Sequence, residues 1–150
     1  MIAESLIAHL IGDYILQTDA MATRKTKQTL WALAHVITYG LPFLFLRPSW
    51  AALAVIVGTH FFIDRFRLAR YVVAAKNSIT DPANARRFFS SQTGYLEDVL
   101  ESVLASDGAT VIGCRTVAFG TPPWMAVWLL IIADNTLHVA INAAALTWLR

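Results

Sequence analysis

Three histidines in this sequence stand four residues from an aspartate: His9 and Asp13 in "HLIGD", His60 and Asp64 in "HFFID", Asp134 and His138 in "DNTLH". The fourth histidine, His35, lies in "LWALAHVITYG" and has no such partner. Residues four apart share a helical face, so each pair points in one direction. Imidazole with carboxylate is the ligand set of zinc, manganese and non-haem iron, and is too rich in nitrogen for calcium or magnesium. His9, Asp13, His35, His60, Asp64, Asp134 and His138 together offer more ligands than the four of a structural zinc site. The surplus fits two metals about 3.5–4 Å apart bridged by a carboxylate and a hydroxide, an arrangement used in hydrolysis. One metal with three ligands, backed by His–Asp hydrogen bonds, is the sparser possibility. Asp13 or Asp134, left out of the ligand set, would take a proton from the attacking water.

The segments that must position these groups are apolar. Hydrophobic residues make up 57 % of the 150 and charged ones 15 %, against about 25 % charged in soluble domains; the mean hydropathy is +0.54. Four stretches are expected to cross a bilayer: about 2–18, 29–46, 49–70 and 123–148. The first two are short of the roughly 20 residues a span needs, and the third makes that length only by running into its charged end. Pro42 is expected to kink the second, and "LRPS" at 46–49 to turn the chain into an antiparallel helical hairpin. The length suits a single domain. The fold class expected is all-α integral membrane, a four-transmembrane-helix bundle.

A polar region, about 76–122, separates the third and fourth spans. "ITDPANARRFF" reads as a helix start with Asp81 as N-cap and Pro82 at the first helical position. "YLEDVLESVLASDG" puts Leu96, Val99, Leu100, Val103 and Leu104 on one face, an amphipathic helix over about 95–106 that would lie on the membrane or close over the bundle as a lid. Of the twelve basic residues all but Arg47 and Arg150 fall after the first span or at and beyond the charged end of the third. That asymmetry places the large loop in the cytoplasm and both termini outward, in a bacterial inner membrane. The basic balance therefore calls for no nucleic-acid partner, and no nucleic-acid motif is present. The N-terminus carries Glu4 and no basic run, so a cleaved signal peptide is not expected. The single cysteine, Cys114, excludes an internal disulfide, and no serine or cysteine sits in a nucleophilic elbow.

An ionised aspartate at the centre of a span costs about 2.5–3.5 kcal/mol on insertion scales. A bound divalent cation reverses the sign of that cost, because it favours carboxylate and neutral imidazole together. The alternatives are a purely structural polar network, in which each pair contributes up to about 1–2 kcal/mol, and a proton or ion relay. Gln17, Tyr39 and Asn142 continue the polar stripes and would support the ligands from behind. Arg67 and Arg70, beyond Asp64 at the cytoplasmic mouth, would hold a lipid phosphate. The five tryptophans, Trp31, Trp50, Trp124, Trp128 and Trp148, fit an interfacial belt.

"AHLIGDYILQTDAMATRKTK", "LAHVITYG" and "THFFIDR" resemble the signature segments of an uncharacterised, domain-of-unknown-function family of small membrane proteins of bacteria and tailed phages. The most specific part is the H-x-x-G-D-x-x-x-Q run at His9, Gly12, Asp13 and Gln17. The resemblance implies a helical membrane fold and a recurring His/Asp pattern, and no reaction. By analogy of site type, membrane-embedded hydrolases such as ceramidase-like enzymes also use His and Asp from several helices. The reading is a metal-dependent hydrolase of a membrane-dissolved ester or amide, with zinc (or manganese or iron), one or two ions, as cofactor and membrane lipid as partner. A divalent-metal or proton transporter, functioning as a homo-oligomer, and a metal-stabilised scaffold are the alternatives.

Overall fold

The computed structural model describes residues 2–80 and 123–149. All regular structure among them is helical, and no strand occurs. α1 is Ile2–Leu10 and passes without a break into a π-helical turn, Ile11–Ile15, where the Leu16 N–H reaches the Ile11 carbonyl at 2.9 Å. The first helix therefore ends short of the expected residue 18. Thr18 restarts the chain as N-cap of α2, Asp19–Arg24, its hydroxyl accepting from the Met21 N–H at 3.3 Å.

α3 is Thr29–Leu44, with Pro42 in its last turn. The link to α4 uses Arg47 in the left-handed region (φ 50°), then Pro48 and Ser49. Ser49 caps α4, Trp50–Phe66, by accepting from the Ala52 N–H at 3.0 Å. The expected hairpin is present: Gly40 abuts Val57 and His35 meets His60, an antiparallel register.

α4 does not run on to residue 70 as the sequence suggested. Arg67 adopts φ 52° and ψ 48°; its N–H bonds the Asp64 carbonyl and the Leu68 N–H bonds the Ile63 carbonyl at 2.9 Å. This is a Schellman close, a role that glycine usually takes. An arginine carries it here at a cost of about 1–2 kcal/mol. No residue type in "DRFRLAR" announces the break, and α5, Ala69–Thr80, starts directly after it. α6 is Pro123–Trp148. The expected capping motif at 81–82, the amphipathic helix at 95–106 and Cys114 lie outside the described residues.

The chain divides into two compact units, residues 1–68 with 134–150, and residues 69–133. In the second, the described residues are α5 and the first part of α6. In the first, an apolar layer of Ala8, Tyr39, Phe43, Ala52, Ile56, Ala145 and Leu146 closes one end of the bundle. Ser49 donates to the Leu149 carbonyl there and ties the end of α6 to the α3–α4 turn. Next to this layer the interior turns polar: His9, Asp13, His35, His60, Asp64, His138 and Asn142 are all buried. Large apolar side chains point outward instead, Ile15, Leu30, Phe45, Trp50 and Trp148 each being more than 70 % exposed.

By length and composition one helix among the described residues can cross a membrane, Val127–Trp148 within α6; α3 is apolar but shorter.

Candidate metal centre

Gly12 brings the first two elements of the site together. A Cβ at this position would lie 2.6 Å from Tyr39 Cδ2, 3.1 Å from the Tyr39 carbonyl oxygen and 3.2 Å from its Cα. Only glycine lets the π turn press so closely on α3. That turn carries Asp13, and π turns recur where a side chain has to be re-aimed at a functional site.

Tyr39 is the keystone of the packing. It is fully buried, and its ring stacks on that of His60 at 3.5 Å between centroids, 14° from parallel. Its hydroxyl accepts from Asn142 Nδ2 at 2.6 Å and lies 3.0 Å from His9 Nδ1. His9 Nε2 is 2.8 Å from Asn135 Oδ1, which can only accept, so Nε2 carries the proton. Tyr39 therefore donates to His9 Nδ1, and His9 is held as a neutral imidazole. Asn135 Nδ2 continues the run by donating to Tyr14 Oη at 2.8 Å.

Four other residues converge on one point. Asp13 Oδ1, His35 Nε2, His60 Nε2 and Asp64 Oδ2 all lie within 4.8 Å of one another, and all four residues are buried. His35 Nε2 is 3.1 Å from each carboxylate oxygen. His60 Nε2 is 3.3 Å from Asp13 and 3.2 Å from Asp64. The two ring nitrogens face each other at 2.9 Å. Zinc bonds of about 2.0–2.1 Å in a tetrahedron put neighbouring ligand atoms roughly 3.3–3.4 Å apart. The five measured separations are close to that edge. Asp13 Oδ1 and Asp64 Oδ2 are moreover buried without a hydrogen bond of proper geometry, despite nitrogens so near. Two carboxylate oxygens that crowd a pair of imidazole nitrogens without aligning with either are arranged as ligands are around a shared centre.

Asp64 looks both ways. Its second oxygen, Oδ1, lies 3.3 Å from His138 Nε2, which is 3.5 Å from Asp134 Oδ2, a second group of three donors. Behind the rings, His60 Nδ1 meets His138 Nδ1 at 3.1 Å. Each of the three sequence-spaced pairs faces itself, His9 and Asp13 being 3.6 Å apart, but His9 is in neither group; its nitrogens meet Tyr39 and Asn135 instead.

Lys25 enters the site unannounced by the sequence. Its ammonium is 2.7 Å from Asp64 Oδ2, 2.7 Å from Gln17 Oε1 and 3.3 Å from His35 Nε2. In the sequence it reads as one more basic residue flanking a span. Asn135 was equally hidden, one position from Asp134. Gln17 thus holds the lysine, while Tyr39 and Asn142 support His60 and His9. Arg67 ends α4 through its backbone. Arg70 belongs to the other unit, where its guanidinium donates to the Tyr71 hydroxyl at 2.8 Å and lies over the ring.

The buried His/Asp groups can hold a metal ion. Residues 1–94 match the family described as "Protein of unknown function (DUF3307)". No curated protein and no solved structure matches the chain.

Proposed function

The chain belongs to the DUF3307 family of proteins of unknown function, and from its site we propose that it is a membrane-embedded, metal-dependent hydrolase of an ester or amide dissolved in the bilayer. The observation that carries the reading is the convergence of Asp13 Oδ1, His35 Nε2, His60 Nε2 and Asp64 Oδ2 at ligand-to-ligand distances of 2.9–3.3 Å in a buried setting. Two imidazoles with two carboxylates suit zinc, with manganese and iron as the other metals of this donor class. An ion held there, with its coordination raised to five or one carboxylate yielding its place, would supply Lewis-acid polarisation of a carbonyl or phosphoryl oxygen and acidify a water.

The chain's own residues provide the remaining parts. Asp134 keeps 30 % side-chain exposure while His138 keeps 1 %, so Asp134 is the carboxylate through which a proton leaves the centre. His138 bridges it to Asp64 and is the one buried imidazole between them. Arg67, three residues past Asp64, is the candidate for an anionic headgroup, with Arg70 following it in the chain.

The membrane part of the reading is supported by the inverted burial pattern, polar within and apolar without. Trp50 and Trp148 are largely exposed at the end tied by Ser49 and Leu149, as in an interfacial belt. Lys25, Lys27, Arg65 and Arg67 gather toward the other end, the cytoplasmic one by the positive-inside rule. On this reading all four long segments span, the short ones by thinning the bilayer locally.

A divalent-metal or proton carrier is the second reading, favoured by the Lys25 ammonium, a charge that can move in and out of the ligand set. Elemental analysis of detergent-purified protein tests the common premise: zinc, manganese or iron in stoichiometric amount, lost in His60→Ala, is expected. Folded protein that binds none of them refutes the hydrolase and the metal carrier and leaves proton carriage. Release of labelled products from a lipid extract then identifies a hydrolase, and metal or proton flux into liposomes without such release identifies a carrier.

A further inference from the structure

Three polar atoms surround the Lys25 ammonium, two in hydrogen bonds and the third, Asp64 Oδ2, in an ion pair. Gln17 Oε1 and Asp64 Oδ2 lie at 2.7 Å and His35 Nε2 at 3.3 Å. The contact is built on both sides. The Lys25 N–H closes α2 on the Met21 carbonyl at 2.9 Å, and the N–H groups of Lys27 and Gln28 both return to the Arg24 carbonyl. Arg65 then holds the strap from α4, its Nη1 donating to the Thr26 carbonyl at 2.5 Å and its Nη2 to the Lys27 carbonyl at 3.5 Å. Arg65 directly follows Asp64, so one helix fixes both the ligand and the strap that carries the lysine.

Two of the three partners, Asp64 Oδ2 and His35 Nε2, belong to the four-atom ligand group. An imidazole nitrogen has a single lone pair. His35 Nε2 can accept from Lys25 or bind a metal, and it cannot do both. Gln17 lies outside the group and keeps its contact open to an ammonium that has left the other two.

We infer that Lys25 is a built-in competitor for the metal: its ammonium and the ion use the same two atoms, so uptake exchanges one cation for the other. This rests on the metal reading given above and adds to it a device that sets affinity. The same exchange would keep the buried carboxylates neutralised before the metal arrives and oppose its retention afterwards.

Zinc affinity of the full-length protein in detergent, measured by competition with a fluorescent chelator, tests the exchange. The loss of the Lys25 ion pair with Asp64 and of its charged hydrogen bond to His35 implies that Lys25→Met tightens zinc binding about ten- to a hundred-fold, while Lys25→Arg and the neighbouring Lys27→Met do not. Equal or weaker zinc binding by Lys25→Met overturns the inference and leaves the metal reading intact. No zinc bound by wild type or variant overturns the metal reading itself. Should Lys25→Met not fold, acylation of Lys25 in the wild-type protein, followed by peptide mass analysis, gives the answer: zinc accelerates it if the ammonium is displaced. An unchanged or slower rate contradicts displacement.

Discussion

Gly12→Ala separates a packed metal centre from a loose assembly of polar residues. The added methyl would stand 2.6 Å from Tyr39 Cδ2, and ordinary contact begins near 3.4 Å, so the two elements must part by about 0.8 Å. Rotation of the ring gives no relief, since it is stacked on His60 at 3.5 Å and the Tyr39 backbone is itself 3.1–3.2 Å away. Overpacking of this kind costs about 1–3 kcal/mol; a loss of about 2 kcal/mol corresponds to roughly 4–8 °C in Tm for a chain this long. The larger effect is on the ligands. Asp13 rides on the turn that moves, and its 3.1 Å and 3.3 Å separations from His35 and His60 would approach 4 Å, well beyond the edge of a zinc tetrahedron. Thermal unfolding in detergent and zinc titration of the same preparation measure both. Gly58→Ala is the control: nothing lies within 4 Å of its Cβ, and removing a mid-helix glycine should stabilise by up to about 1 kcal/mol. If Gly12→Ala matches wild type in both Tm and zinc affinity, the close approach of the π turn does not position Asp13 and the reasoning fails.

Asp64→Asn should reduce bound zinc to background and destabilise the metal-free protein by about 2–3 kcal/mol. That is less than the 3–5 of a fully buried broken pair, because Lys25 retains 15 % exposure; metal analysis and unfolding read the two effects separately. Tyr39→Phe keeps the ring on His60 but strands His9 Nδ1 and Asn142 Nδ2, so a loss of about 1–3 kcal/mol with zinc stoichiometry unchanged is expected. Zinc at a hundred times its Kd should raise wild-type stability by about 2.7 kcal/mol, visible as a concentration-dependent Tm, and leave Asp64→Asn unmoved.

The helical hairpin of α3 and α4 was legible because "LRPS" is a strong local signal and the flanks are uniformly apolar. The spacing of His60 with Asp64, and of His138 with Asp134, was legible because a helix repeats every few residues and four apart means one face. What a single helix cannot reveal is its rotation against its neighbours. His9 has the same spacing to Asp13 as His60 has to Asp64, yet Tyr39 and Asn135 take both its nitrogens. Lys25 illustrates a different blindness: a lysine beside a span looks alike whether it faces solvent or folds back onto a carboxylate. The end of α4 at Arg67 was hidden for a third reason. Its left-handed backbone is imposed by the Schellman bonds, and an arginine carries none of the signal that a glycine would.

The number of ions that the proposed centre would take can be argued from hydrogen counting at one contact. A neutral imidazole has one N–H, so a histidine that binds metal through Nε2 keeps its proton on Nδ1. His60 Nδ1 and His138 Nδ1 are 3.1 Å apart, and such a contact holds one proton, not two. If His60 binds an ion through Nε2, His60 donates from Nδ1, His138 accepts, and His138 Nε2–H is turned to Asp64 Oδ1 and Asp134. His138 is then a support and not a ligand. Two ions would set two Nδ1–H groups against each other at this distance. The geometry therefore favours a single ion in the Asp13, His35, His60 and Asp64 group over the bridged pair that the surplus of ligands suggested. Zinc titration should saturate at one per chain. His138→Ala should leave that number at one and weaken affinity about ten- to a hundred-fold, the usual effect of removing a group that orients a ligand. Two zinc ions in the wild type, falling to one in His138→Ala, would show that the His60–His138 contact opens on loading and would reverse the assignment.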